Sequence, residues 1–183
     1  AVVGNWAAEA HRFTPSLRVV VHHGASRATA RELTAKVARA DVVITTYGTA
    51  VRDVEALAEL KWDRVVLDEA QAIKNSSNET AQQLRRIPAR SRLALTGTPI
   101  ENGLGDLWAI LDFTNPGLVG TRPQFIAALS RDSDSTRVAG EDAMRALNGI
   151  LVIRRTETEP EIAAELPGQV DEPGPCARTR SED

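Results

Sequence analysis

Two carboxylates stand side by side at Asp68 and Glu69, directly behind the apolar run Val65-Val66-Leu67. Adjacent acids at the end of a strand can divide the work of phosphate hydrolysis. One holds Mg²⁺, commonly through water, and the other orients or deprotonates the water that attacks a γ-phosphate. Gln71 follows at two residues' distance, and its side-chain amide can both donate and accept hydrogen bonds. A second small-polar cluster, Thr96-Gly97-Thr98 before Pro99, lies about twenty-five residues further on. It sets two hydroxyls around a residue free to take unusual backbone angles. The same residues also read as an acidic turn after a strand and a strand-to-loop turn of small residues, so the pattern alone leaves both readings open.

Chemistry of this kind needs a frame that brings the two clusters together. Asp41 to Gly48, Arg64 to Gln71 and Arg92 to Pro99 repeat one design, a short aliphatic strand that stops on small polar or acidic groups. Helix-length segments separate them, which predicts a parallel sheet with its functional loops along one edge. Ligands collect beyond the carboxyl ends of such strands. The run at Val65 predicts a strand buried on both faces. The expected course continues with a helix over 5–13 with Trp6, Ala10 and Phe13 on one apolar face, a strand over 18–23, and a helix over 28–40. A strand over 42–46 follows, then a helix broken near Arg52 and resumed to Leu60. Beyond the acids come a polar loop at 75–78, a helix over 79–87 and a strand over 93–96. Asn102 is placed to cap a helix carrying Leu104, Leu107, Trp108 and Leu111 at helical spacing, and two more helices are expected at 123–129 and 141–151.

The ordered blocks resemble the first RecA-like lobe of the Swi/Snf-type, superfamily 2 DNA-dependent ATPases. Asn5-Trp6 with Glu9 and Phe13-Thr14-Pro15 is similar to motif Ia, Ile44 to Tyr47 to motif Ib, Asp68-Glu69-Ala70-Gln71 to motif II (a DEAQ box), and Leu95 to Asn102 to motif III. Leu104 to Trp108 and Arg154-Arg155 continue the family order, although Glu157 stands where the family usually has a lysine. The resemblance implies an α/β, RecA-like P-loop NTPase fold, three layers with a mainly parallel sheet, incomplete at the amino end. It implies ATP and Mg²⁺ as cofactors, with Asp68 on the metal, Glu69 and Gln71 as catalytic groups, and Thr96, Gly97 and Thr98 at the nucleotide. Asn5, Trp6, Thr45, Thr46 and Tyr47 are the nucleic-acid candidates, suited to sugar-phosphate contacts that position without reading sequence. Trp6 also reads as core, because it shares a helix face with Phe13. Double-stranded DNA is the implied partner, with RNA polymerase or other DNA-bound proteins compatible with it. A non-catalytic binding module and an RNA helicase lobe are the competing readings.

A chain of 183 residues, 42% apolar and 26% charged, has the composition of a globular domain. Residues 157–183 carry eight acidic and two basic side chains, leaving 17 acidic against 20 basic before them. The slightly basic body allows phosphate contacts, and the acidic, Pro- and Gly-rich stretch 167–183 is expected to be disordered behind a domain over 1–166. No apolar run reaches bilayer length, and Cys176 is the single cysteine, so a cytoplasmic location is expected. His22 and His23 have no partners at metal-ligand spacing and read as structural. The three lysines, Lys36, Lys61 and Lys74, follow Ala, Leu and Ile, and none fits a phosphate-binding glycine-lysine loop. The family carries that loop ahead of motif Ia, so the chain is expected to be a fragment and a poor ATPase by itself.

Overall fold

The computed structural model describes residues 2–74, 79–98, 103–130 and 145–153. It contains helices α1 (Val2–Phe13), α2 (Ala30–Val37), α3 (Tyr47–Arg52), α4 (Val54–Ala58), α5 (Glu79–Arg85), α6 (Leu104–Thr114) and α7 (Arg122–Leu129). Strands are β1 (Val19–His22), β2 (Val42–Thr45), β3 (Trp62–Leu67) and β4 (Ala89–Ala94), and a 3-10 turn runs over Ala70–Ile73. The chain divides into two units, Ala1–Ala146 and Leu147–Asp183. In the second, the Gly149 N–H donates to the Val152 carbonyl at 2.7 Å, and Gly149 has φ 81. That turn replaces the last part of the helix expected to reach Leu151, because glycine takes the left-handed backbone without steric cost.

Both strand pairings are parallel, but the described strands form two two-stranded sheets, β1 with β2 and β3 with β4. Val21 pairs with Ile44, and Val66 with Leu93. The last strand begins four residues earlier than its apolar run suggested, since Ala89, Ser91 and Arg92 pair with β3 although Arg90 is exposed and Arg92 only half-buried.

Helix ends follow local chemistry. Glu32 accepts from the Thr29 N–H at 2.8 Å and its hydroxyl at 2.9 Å, closing a capping box on α2. Gln124 does the same for Thr121 ahead of α7, where Pro123 adds a preset φ. Thr46 accepts the Thr49 N–H at 3.2 Å and starts α3 as soon as β2 ends. The chain breaks at Asp53 between α3 and α4, as the pattern near Arg52 predicted. Gly103 precedes α6; Asn102, the expected cap, lies outside the described residues.

One cluster makes the core: Leu33, Val54 and Leu57 from the amino-terminal helices, with Leu67, Ala70, Ile73, Leu84, Ile87 and Phe113. Leu67 faces into it from β3. Val66, one residue back, points the other way and is 49% exposed, beside Leu93 at 50%. The expectation of a strand buried on both faces is therefore corrected. Alternation along a strand sends neighbours to opposite faces, and the described helices cover only the Leu67 side. A second correction concerns α1, which has no buried residue. Trp6 and Phe13, expected on an apolar packing face, are 42% and 68% exposed, and the smaller Val3, Ala7 and Ala10 take the partly buried positions instead.

Candidate functional site

The acidic loop is tied to the end of β4 by main-chain bonds that outlast the strands. The Leu95 N–H donates to the Leu67 carbonyl at 2.7 Å, and the Ala70 N–H to the Leu95 carbonyl at 2.9 Å. Asp68 and Glu69 are therefore held directly beside Thr96. Between these anchors the chain turns sharply. Glu69 adopts φ 50, ψ 54, the one left-handed non-glycine residue among those described. Gly97, for which unusual angles were expected, has no positive φ, and a Cβ there would touch nothing within 4 Å. The unusual backbone sits on the second acid instead. For a residue with a Cβ this conformation costs free energy, and such strain persists where surrounding bonds enforce it.

From Glu69 a line of side chains leads to the second cluster. Gln71 Nε2 donates to Glu69 Oε2 at 2.6 Å, Thr96 Oγ1 donates to Gln71 Oε1 at 3.3 Å, and the Thr98 N–H donates to Thr96 Oγ1 at 3.2 Å. The amide of Gln71 thus uses both its donor and its acceptor. A change in the bonding of Glu69 has a direct path to residues 96–98.

Asp68 is gripped from three sides. Its Oδ1 accepts the Glu69 N–H at 3.0 Å, its Oδ2 accepts Trp6 Nε1–H at 2.7 Å, and its carbonyl accepts the Tyr47 hydroxyl at 2.7 Å. Burial, aided by the charges of Asp68 and Glu69, pushes the Tyr47 phenol up to about 12. Tyr47 opens α3 immediately after β2, so the carboxyl end of one sheet meets the acidic loop of the other. Thr45 and Thr46 are spent locally: Thr45 Oγ1 donates to the His22 carbonyl at 2.8 Å, and Thr46 bonds Thr49. Asn5 is exposed on α1.

No group of three or more His, Cys, Asp or Glu side chains could hold a metal among the described residues. Mg²⁺ does not ask for one, since it keeps several waters and takes one or two carboxylates plus substrate phosphates. Among the described residues each Asp68 oxygen accepts one hydrogen bond, which leaves it a lone pair, so the residues present fit such an ion. Lys74 is turned away from this work. Its ammonium lies 3.8 Å from Asp106 with only 7% of the side chain exposed, drawing the end of the 3-10 turn to α6.

Elsewhere, His22 Nε2 lies 2.7 Å from Asp53 Oδ2, and Arg27 binds the same carboxylate through Nε at 2.6 Å and Nη2 at 2.9 Å. His22, at 1% exposure, is the structural histidine expected from its sequence. A cavity of about 380 Å³ beside this network is lined by Leu33, Arg52 and Thr29, and by none of the acidic-loop residues. The side-chain bonds from Trp6 and Tyr47 to Asp68, and the Lys74–Asp106 contact, had no signal in spacing. The one hint was that Tyr47 follows the end of one strand as Asp68 follows the end of another. Pro99 to Asn102 and Arg154-Arg155 lie outside the described residues.

Comparison with known proteins gives this arrangement its relatives. The SNF2-related domain matches residues 1–179. The chain belongs to that family. As an SNF2-related domain it is 35% identical over 176 residues to a putative ATP-dependent helicase/translocase, YwqA, of Bacillus subtilis, covering 94% of this chain and 19% of that protein. It is 34% identical over 182 residues to the TATA-binding protein-associated factor MOT1 of Saccharomyces cerevisiae, covering 93% and 10% respectively. The solved Sulfolobus solfataricus SWI2/SNF2 ATPase core in complex with dsDNA superposes with a TM-score of 0.72 at 36% identity, over 91% of this chain and 34% of that one. The RecA-like α/β fold expected from the sequence is thereby shown. This SNF2-related chain spans a tenth to a fifth of the length of these curated relatives. Among the described residues no helix is long and apolar enough to cross a membrane.

Proposed function

We propose that this chain is the motif Ia to motif III portion of an ATP-driven translocase on double-stranded DNA, with Asp68 and Glu69 as its hydrolytic centre. The observation that carries this reading is the unbroken line from Glu69 through Gln71 to Thr96, beside a carboxylate whose lone pairs remain open. Bound Mg²⁺ would neutralise charge on the phosphates of ATP. Asp68 would hold that ion, its carboxylate kept in place from both oxygens. Glu69 orients the attacking water and accepts its proton. Gln71 senses the bonding of Glu69 and passes it to Thr96 and Thr98. Asn5 and the backbone at Thr45 and Thr46 contact sugar-phosphate on the nucleic-acid side, which places the protein in the compartment that holds its DNA.

A chimera tests this. The matching third of the Sulfolobus ATPase core is exchanged for this chain, and DNA-stimulated ATP hydrolysis is measured. Glu69→Gln is expected to lower the rate at least about 10²-fold, since it removes the group that handles the water. Hydrolysis indifferent to that change sinks the assignment, and stimulation by RNA but not duplex DNA replaces the substrate.

A further inference from the structure

Trp6 occupies a position that neither packing nor base stacking explains. Its helix buries no side chain, its ring is half exposed, and its indole N–H reaches 62 residues along the chain to Asp68 Oδ2 at 2.7 Å. The other two tryptophans behave differently. Trp62 donates to the Leu57 carbonyl at 2.8 Å and Trp108 to the Gly120 carbonyl at 3.0 Å, both main-chain acceptors within twelve residues. Only Trp6 spends its single donor on a charged side chain. A bond to a carboxylate is stronger than one to a neutral oxygen, and its short length agrees with that.

The effect on Asp68 follows from the count of its bonds. The Glu69 N–H fixes Oδ1 from within the loop, which alone would leave the carboxylate free to pivot about that contact. Trp6 fixes Oδ2 from outside. Held at both oxygens, the group presents its remaining lone pairs in one orientation, as outer ligands do for metal-binding carboxylates. We propose that Trp6 is a positioning residue for Asp68, whose indole N–H sets the carboxylate for a divalent cation and thereby couples α1 to cation capture. The inference rests on Asp68 as the metal residue, and it adds a partner that spacing had assigned to core or nucleic acid.

The test uses the whole 183-residue chain labelled with ¹⁵N, and manganese chloride as probe. Three indole N–H resonances are expected, with that of Trp6 identified by its loss in Trp6→Phe. In metal-free protein, Asp68→Asn shifts the Trp6 resonance and leaves those of Trp62 and Trp108 in place. An unmoved Trp6 resonance overturns the proposal, because the bond is then not formed. On adding Mn²⁺, the Trp6 resonance broadens first, and Asp68→Asn abolishes that selectivity. Free Mn²⁺ is then followed by electron paramagnetic resonance. Trp6→Phe is expected to weaken binding about tenfold, and Trp6→His, which restores a ring N–H, to recover part of the loss. If Asp68→Asn removes binding while Trp6→Phe leaves it unchanged with the circular dichroism spectrum intact, positioning by Trp6 is wrong and the metal role of Asp68 stands. If Asp68→Asn leaves binding unchanged, both are wrong.

Discussion

Glu69 shows how a single residue can carry a cost that its exposure conceals. Substitutions at exposed positions normally change stability by less than about 0.5 kcal/mol. Here the left-handed backbone at φ 50 changes the expectation. Glu69→Val should destabilise the chain by about 1 to 2 kcal/mol, because a branched Cβ clashes in that region, whereas Glu69→Gly should be nearly neutral. Urea unfolding of the two variants checks this, and equal losses would show that strain is not the cause. Tyr47 allows a cleaner measurement. It is the single tyrosine, so the absorbance of phenolate reports on it alone. Its folded-state value of about 12 lies above the unfolded value near 10, so stability from the neutral phenol is complete below pH 10 and is lost as pH rises towards 12. An ultraviolet titration of the folded chain should have its midpoint near 12. A midpoint near 10 would mean that the phenol is not buried beside the charges of Asp68 and Glu69.

Elements are joined by ion pairs as well as by the apolar core. Asp53, at the junction of α3 and α4, ties β1 through His22 and the following loop through Arg27. The Arg27 hydrogen bond holds the Asp53 carboxyl down at about 2, with His22 adding to it against the cost of burial. The unfolded value is near 3.8, so this contribution is fully present above that pH and disappears as pH falls through 2. Its size should be about 1 to 2 kcal/mol after allowance for partial exposure. Urea midpoints measured from pH 5 to pH 2 should fall more steeply for the parent chain than for Asp53→Asn. Parallel curves would remove the pair from the stability of the fold.

At the scale of the molecule, the covered and bare faces of β3 and β4 set its behaviour in solution. Val66 and Leu93 are register partners, and Leu95 continues the same face, all at 42 to 50% exposure. Contiguous apolar surface of this kind binds hydrophobic dyes and promotes association. The chain is expected to enhance anilinonaphthalene sulfonate fluorescence at neutral pH while retaining a cooperative unfolding transition. Val66→Thr with Leu93→Thr should reduce the dye signal at least about twofold without lowering the unfolding midpoint, since neither side chain contributes to the core. An unchanged signal would locate the dye elsewhere.

Much of this was legible in the residues themselves. The aliphatic runs at Val42 and Val65 read as strands, a helix break was expected near Arg52, and Asp68-Glu69-Ala70-Gln71 was expected at a strand's end. Side-chain shape, branching and hydrogen-bonding capacity act over a few residues, and order along the chain preserves them. What only the folded chain decided depends on contacts between segments far apart in sequence. The register of β4 began at Ala89 because its partner strand, more than its own apolar content, chose the pairing. The faces of β3 were told apart by which side the helices cover, and Trp6 left its expected apolar face because Asp68, 62 residues away, offered its indole a charged acceptor. Local pattern determines which elements form and where they end; three-dimensional proximity alone determines which side chain meets which.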